Sequence, residues 1–322
     1  MGGARQRIVV GIDGSAGGRA ALHWALTAAA NRGADVEVVT AFPIDFYWAD
    51  AYLLDSERID AIRADTEARA RAMVDEVRHD PAVAGLPGVA GLDVDVLVVA
   101  GAPAEHLVQQ SEGAALLVVG SRGRGAVRST VAGSVALHCS THARCPVVVV
   151  HPMAAPVGTP ARVVVGLEDS ELGRAALGVG LAEATLLGAR VDAVLAYERP
   201  SYWSDLYAVM APPSGETREH ARTRGEALVA EVLGPGPTER DTVRVTVAEG
   251  HPDDVLVREA EGALLLVVGV RSRSRLAGVV LGSVALQCVM HAPCPVLVVH
   301  PRPAVSAEPT DRAAATPATA AS

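Results

Sequence analysis

The chain has 322 residues, half of them apolar and 3% aromatic, which suits about two domains with cores of Val, Leu and Ala. A formal net charge of −9 argues against a general nucleic-acid binder, and without an apolar run of about 18 residues no membrane span is expected. The first seven residues lack the apolar region of a signal peptide, so the expected location is the cytoplasm. There Cys139, Cys145, Cys288 and Cys294 are expected as free thiols. Their C-x5-C spacing is too loose for a metal site, and no metal is assigned.

Arg7–Ile12 is a β-branched run, the mark of a strand buried on both faces. Asp13-Gly14-Ser15 reads as a turn with Ser15 as helix N-cap. Residues 19–31 form an Ala- and Leu-rich helix that Gly33 stops. Residues 36–42 are the second strand, and 43–54 a loop carrying Phe46, Tyr47, Trp48 and Tyr52. Ser56–Arg78 is helical, with Ile59, Ile62, Met73 and Val77 on the inner stripe. A loop over 80–91 leads to a third strand, Val94–Ala100. Pro103 opens a short helix to Gln110, and residues 115–119 are the fourth strand. Then comes Gly120 to Ser134, written G-x2-G-x9-G-S, followed by an Ala-rich helix and a fifth strand at 146–150.

The chain then says this again. Arg7-Ile-Val-Val-Gly-Ile-Asp-Gly-Ser15 returns as Arg162-Val-Val-Val-Gly-Leu-Glu-Asp-Ser170, and Cys145-Pro-Val-Val-Val-Val as Cys294-Pro-Val-Leu-Val-Val. Tyr47, Trp48 and Tyr52 are echoed by Tyr202, Trp203 and Tyr207. The predicted organisation is a domain over 1–152, a Pro-rich linker over 153–160, a second domain over 161–301 and a disordered tail over 302–322.

Strand–helix alternation gives open parallel sheets with helices on both faces, a Rossmann-like α/β fold. Ligands bind such sheets beyond the carboxyl ends of the strands. Asp13 follows strand one and Gly120 follows strand four, so both face one crevice if those strands are neighbours. The loop is suited to anions: glycines admit φ > 0 and close backbone approach, and the helix opening at Ser134 presents unpaired N–H groups and a partial positive charge. Arg122, Arg124 and Arg128 add charge. The plainer reading is a surface loop closed by Ser134 as N-cap. A phosphate held there sets a nucleoside near Asp13 and Ala41-Phe42.

The Val-Val-Gly-Ile-Asp-Gly-Ser start, the G-x2-G-x9-G-S loop and the Cys-Pro-Val-Val-Val-Val ending resemble the universal stress protein family, in its tandem actinobacterial form, over residues 5–301. The resemblance implies ATP as ligand, with Mg²⁺ as an optional companion. It places phosphates and ribose on Gly120, Gly123, Gly133, Ser134 and Val135, adenosine near Asp13, and adenine at the backbone of Ala41. It implies two five-stranded sheets of order 3-2-1-4-5 and fifth strands that pair across a two-fold axis, here within one chain. It also implies a homodimer of tandem chains and a nucleotide-dependent regulatory or sensing role in stress adaptation.

The second repeat keeps Gly269, Gly282 and Ser283 but replaces Asp13 by Glu168, Gly14 by Asp169 and Gly123 by Ser272. Glu168 is one methylene longer. Asp169 adds negative charge where polyphosphate would approach. Ser272 would be strained if Gly123 needs left-handed angles. The expectation is a stronger site in the first repeat. His138 and His142, four apart, read as a solvated helix face, His106 as a surface or interface residue, and Ser129 and Thr130 as surface hydroxyls. No catalytic residue is assigned. The alternatives are a slow ATPase or phosphoryl donor, for which no second carboxylate is placed, and a nucleotide-free interaction module.

Overall fold

The computed structural model describes residues 5–42, 56–123, 132–151, 160–198, 214–234, 242–270 and 281–301. Phe46, Tyr47, Trp48, Tyr52, Arg124, Arg128, Ser129, Thr130, Tyr202, Trp203, Tyr207, Arg271, Ser272, Arg273 and Arg275 lie outside the described residues, as do linker residues 153–159 and the segment 302–322.

The first half runs β1 (Arg7–Ile12), α1 (Ala16–Arg32), β2 (Asp35–Phe42), α2 (Ser56–Arg78), α3 (Pro81–Ala84), β3 (Val94–Ala100), α4 (Pro103–Gln110), β4 (Leu116–Gly120), α5 (Ser134–His142) and β5 (Val147–Val150). The second runs β6 (Arg162–Gly166), α6 (Glu171–Leu187), β7 (Arg190–Tyr197), α7 (Ser214–Leu233), β8 (Val243–Glu249), α8 (Pro252–Glu259), β9 (Leu265–Gly269), α9 (Ser283–His291) and β10 (Val296–Val299). The expected loop at 80–91 contains α3, capped by Asp80 with Pro81 at its start, and a 3₁₀ turn at Val89–Gly91. Proline tolerates the first helical position because no N–H is needed there.

Each half is parallel in the order expected, and the two sheets join into one of ten strands: β3-β2-β1-β4-β5-β10-β9-β6-β7-β8. The junction is antiparallel, with Val149 opposite Val296 and Val147 opposite Val298. Alternation along these strands feeds two apolar layers. Val148, Val150, Leu297 and Val299 enter one, and Val147, Val149, Val296 and Val298 the other. All eight are buried, which is why the strands read as unbroken apolar runs.

The halves also meet through side chains. Arg32 at the end of α1 forms an ion pair with Glu183 of α6, the two side chains 10% and 8% exposed. His151 donates from Nε2 to the Val289 carbonyl at 3.0 Å, and His300 donates in the same way to the Ser140 carbonyl at 3.0 Å. Both acceptors sit in the last turn of a helix, where carbonyls lack intrahelical partners.

Candidate functional site

In the first half β1 and β4 are neighbours, so the turns that follow them share one crevice. After Ile12 the chain turns at Gly14 with φ 81°, a left-handed angle that a side chain would strain. Ser15 then caps α1: its Oγ accepts from the Gly18 N–H at 3.1 Å. That hydroxyl donates to Asp13 Oδ1 at 2.5 Å, and the Ser15 N–H donates to the same oxygen at 3.0 Å. Asp13 is therefore oriented by the start of α1. Its Oδ2 faces Gly123, where a Cβ would stand only 2.5 Å away.

The segment leaving β4 crosses the first turn of α1 with nothing between the backbones. A Cβ on Gly120 would meet the Gly17 carbonyl carbon and oxygen at 2.6 Å, and one on Gly17 would meet the Arg122 carbonyl oxygen at 2.1 Å. Neither Gly120, Gly123 nor Gly133 has a positive φ. The condition set for strain at Ser272, a left-handed angle at Gly123, is thus not met: closeness to Asp13 is what excludes a side chain at Gly123. Arg122 and Gly123 are exposed.

The Ser121 N–H donates to the Val150 carbonyl at 2.8 Å, and the Gly133 N–H to the Ser121 carbonyl at 2.7 Å. The loop therefore leaves and re-enters at one point. Gly133, extended at φ −78° and ψ 153°, is the N-cap of α5 and has no side-chain capping bond. Ser134 is the first helical residue and exposed, not the cap, and Val135 is half-buried beside it. An uncapped helix start leaves its N–H groups for a ligand or water. Ala41 pairs with Val99 one residue past the last β1–β2 pair, Ile12 with Thr40, on the β2 side of the crevice.

The second half repeats the frame. The Val270 N–H donates to the Val299 carbonyl at 2.9 Å and the Gly282 N–H to the Val270 carbonyl at 2.8 Å. Gly282 caps α9 without a side-chain bond, Ser283 is exposed, and Gly269 ends β9. The other wall differs. The Ser170 N–H donates to the main-chain carbonyl of Glu168 at 2.9 Å, where Ser15 uses the Asp13 carboxylate. The negative charge that Asp169 adds is paired: its carboxylate meets Arg174 at 3.1 Å and Arg224 at 2.6 Å. Leu172 stands where the first half has Gly17.

A profile of the universal stress protein family matches residues 4–151 and again 160–300. A universal stress protein of Mycolicibacterium smegmatis is 31% identical over 301 residues, covering 92% of this chain and 97% of that one. The chain belongs to the universal stress protein family. One of its members in Mycobacterium tuberculosis, strain H37Rv, is 32% identical over 307 residues, covering 90% of this chain and 96% of its own. The crystal structure of a universal stress protein from Archaeoglobus fulgidus overlays with a TM-score of 0.60 at 19% identity, covering 92% of this chain and 98% of that one.

Within this universal stress protein fold, the crevice gathers Asp13, Gly120, Arg122, Gly123, Gly133, Ser134 and Val135 around the ends of β1 and β4, with Ala41 at its β2 side. Sequence reasoning missed Gly17 and Gly18. Two glycines in the first turn of a helix weaken it, and that anomaly was the available signal for a close approach. Other residues have structural roles. His106 Nε2 lies 3.1 Å from the Ala100 carbonyl, and the rings of His138 and His142 stack at 4.4 Å. Burial pushes the four thiols up to about 12, which leaves them unreactive at neutral pH. Among the described residues no helix is long and apolar enough to cross a membrane.

Proposed function

We propose that the first half binds ATP and that the protein acts as a nucleotide-dependent regulator or sensor in stress adaptation. The observation that carries this reading is the opposition of two anchors across one crevice. Asp13 is oriented by Ser15 and faces Gly123, where a Cβ would collide with its carboxylate. The loop beyond returns into an uncapped helix start. Such a helix start and glycine-lined backbone favour phosphate, and a fixed carboxylate accepts hydrogen bonds from ribose hydroxyls. Mg²⁺ would arrive with the polyphosphate and be held largely through its oxygens. The dimer of chains that the resemblance implies needs a surface other than β5 and β10, which pair with each other.

The test is the nucleotide released by acid from freshly purified protein, identified by chromatography with mass detection, beside Asp13→Ala and Ser134→Ala variants checked for folding. Bound ATP that falls in both variants supports the reading. Protein that is empty and takes up no added ATP overturns it in favour of an interaction module.

A further inference from the structure

The two halves build the same cradle and furnish its mouth differently. In both, the segment after the fourth strand is tied to the fifth, and an uncapped helix opens at an exposed serine. The contrast lies in the turn after the first strand. Gly14 puts no side chain there. Asp169 puts a carboxylate there, 35% exposed and clamped between two guanidinium groups from different helices. Arg174 belongs to the first turn of α6, and Arg224 reaches over from α7.

The clamp is particular to this half. Arg174 also pairs with Glu231 at 2.9 Å, and its counterpart Arg19 makes the equivalent pair with Glu76 at 2.6 Å. The third member differs. Arg69, the counterpart of Arg224, pairs with Asp65 of its own helix. In the second half the corresponding arginine is turned to Asp169 instead, so the carboxylate is held in one defined place in the turn after β6. The Arg224 hydrogen bond, with Arg174 behind it, holds the Asp169 carboxyl below the usual carboxylate range, so it is ionised at neutral pH.

We propose that Asp169 is the residue that keeps nucleotide out of the second crevice: it fixes a carboxylate at the mouth and engages two arginines that would otherwise attract a nucleoside polyphosphate. The inference rests on the reading of the first half as a nucleotide site. Like charge held at a binding site selects against a ligand as effectively as lost contacts do. The rival cause is Leu172, whose bulk occupies the place of Gly17.

The experiment counts ATP per full-length chain at saturation in the wild type, Asp169→Gly, Asp169→Asn and Leu172→Gly, each checked for folding. Asp169→Gly and Asp13→Ala are also combined to silence the first half. Wild type at about one ATP, with Asp169→Gly and Asp169→Asn at about two and the combined variant at about one, is the expected result for sites linked to ligand by mass action. Wild type at about two, or Asp169 variants that stay at the wild-type count, overturns the inference and leaves the first-half reading intact. A second ATP gained by Leu172→Gly alone also overturns it, in favour of bulk. An empty wild type sinks the first-half reading and this inference with it.

Discussion

At Gly120 and Gly17 two main chains touch, and the atoms that a Cβ would meet belong to backbone, which cannot rotate away. Gly120→Ala is therefore expected to cost about 1–3 kcal/mol by overpacking. Gly178 is the contrast: it lies inside α6 and a Cβ there meets nothing within 4 Å. Gly178→Ala should raise stability by about 0.5–1 kcal/mol, from helix propensity alone. Urea midpoints of the two variants should move in opposite directions. Ser121 offers a second residue-scale test. It is fully buried and its Oγ has no hydrogen-bond partner among the described residues, while the second half has Val270 at that place. Ser121→Val should stabilise the ligand-free protein by about 1 kcal/mol, because an unsatisfied buried hydroxyl is removed. An unchanged or lower melting temperature would contradict that. The glycines of the crevice were legible in the sequence, but their reason was not. Local pattern suggests turning angles for a glycine; it does not reveal that another helix lies against its Cα.

Elements were more legible than contacts between them. The β-branched runs marked the strands because burial on both faces needs no alternation, and Ser15, Gly33 and Pro103 marked helix ends through their own backbone chemistry. The segment at 80–91 misled because its helical turns are short and its Gly and Pro content reads as loop. Nor was the α1–α6 contact visible. Arg32 and Glu183 are 151 positions apart, and the repeat does not duplicate them: their counterparts are Leu187 and Ala28. The contact therefore fits unlike halves. Pairing one half with a copy of itself would bury Arg32 against alanine, or Glu183 against leucine. A buried charge stripped of its partner costs about 3–5 kcal/mol, whereas apolar replacement of both partners is often neutral. Arg32→Leu alone should be strongly destabilising, and Arg32→Leu with Glu183→Ala close to wild type. A thermodynamic cycle in denaturant checks this. Simple addition of the two single effects would show that the pair carries no coupling.

At the scale of the whole molecule, the ten-stranded sheet depends on four valines of β5, on three valines and Leu297 of β10, and on two histidines that cross between halves. Burial lowers the pKa of both His151 and His300, outweighing the carbonyl bonds that favour their charged forms; Arg122 lowers His151 a little further. Each Nδ1 is buried and has no partner among the described residues, so a proton added there finds no acceptor among them. Beside His300 the groove between the halves also carries Arg144, Cys145, Glu171 and the Arg32–Glu183 pair. Native histidines with depressed pKa values bind fewer protons than unfolded ones. Their contribution to stability is thus complete above the ordinary histidine value of about 6.5. It is lost as pH falls below that value towards the lower native pKa, at no more than about 1.4 kcal/mol per pH unit for each histidine. Glutamine can supply an N–H near the position of Nε2 without titrating. The His151→Gln, His300→Gln protein should therefore lose less stability than the wild type between pH 7 and pH 5, measured by urea unfolding at each pH. The difference should appear first as faster hydrogen exchange at β5 and β10. If both proteins weaken in parallel, the acid sensitivity lies elsewhere in the chain and the crossing histidines serve only as hydrogen-bond donors.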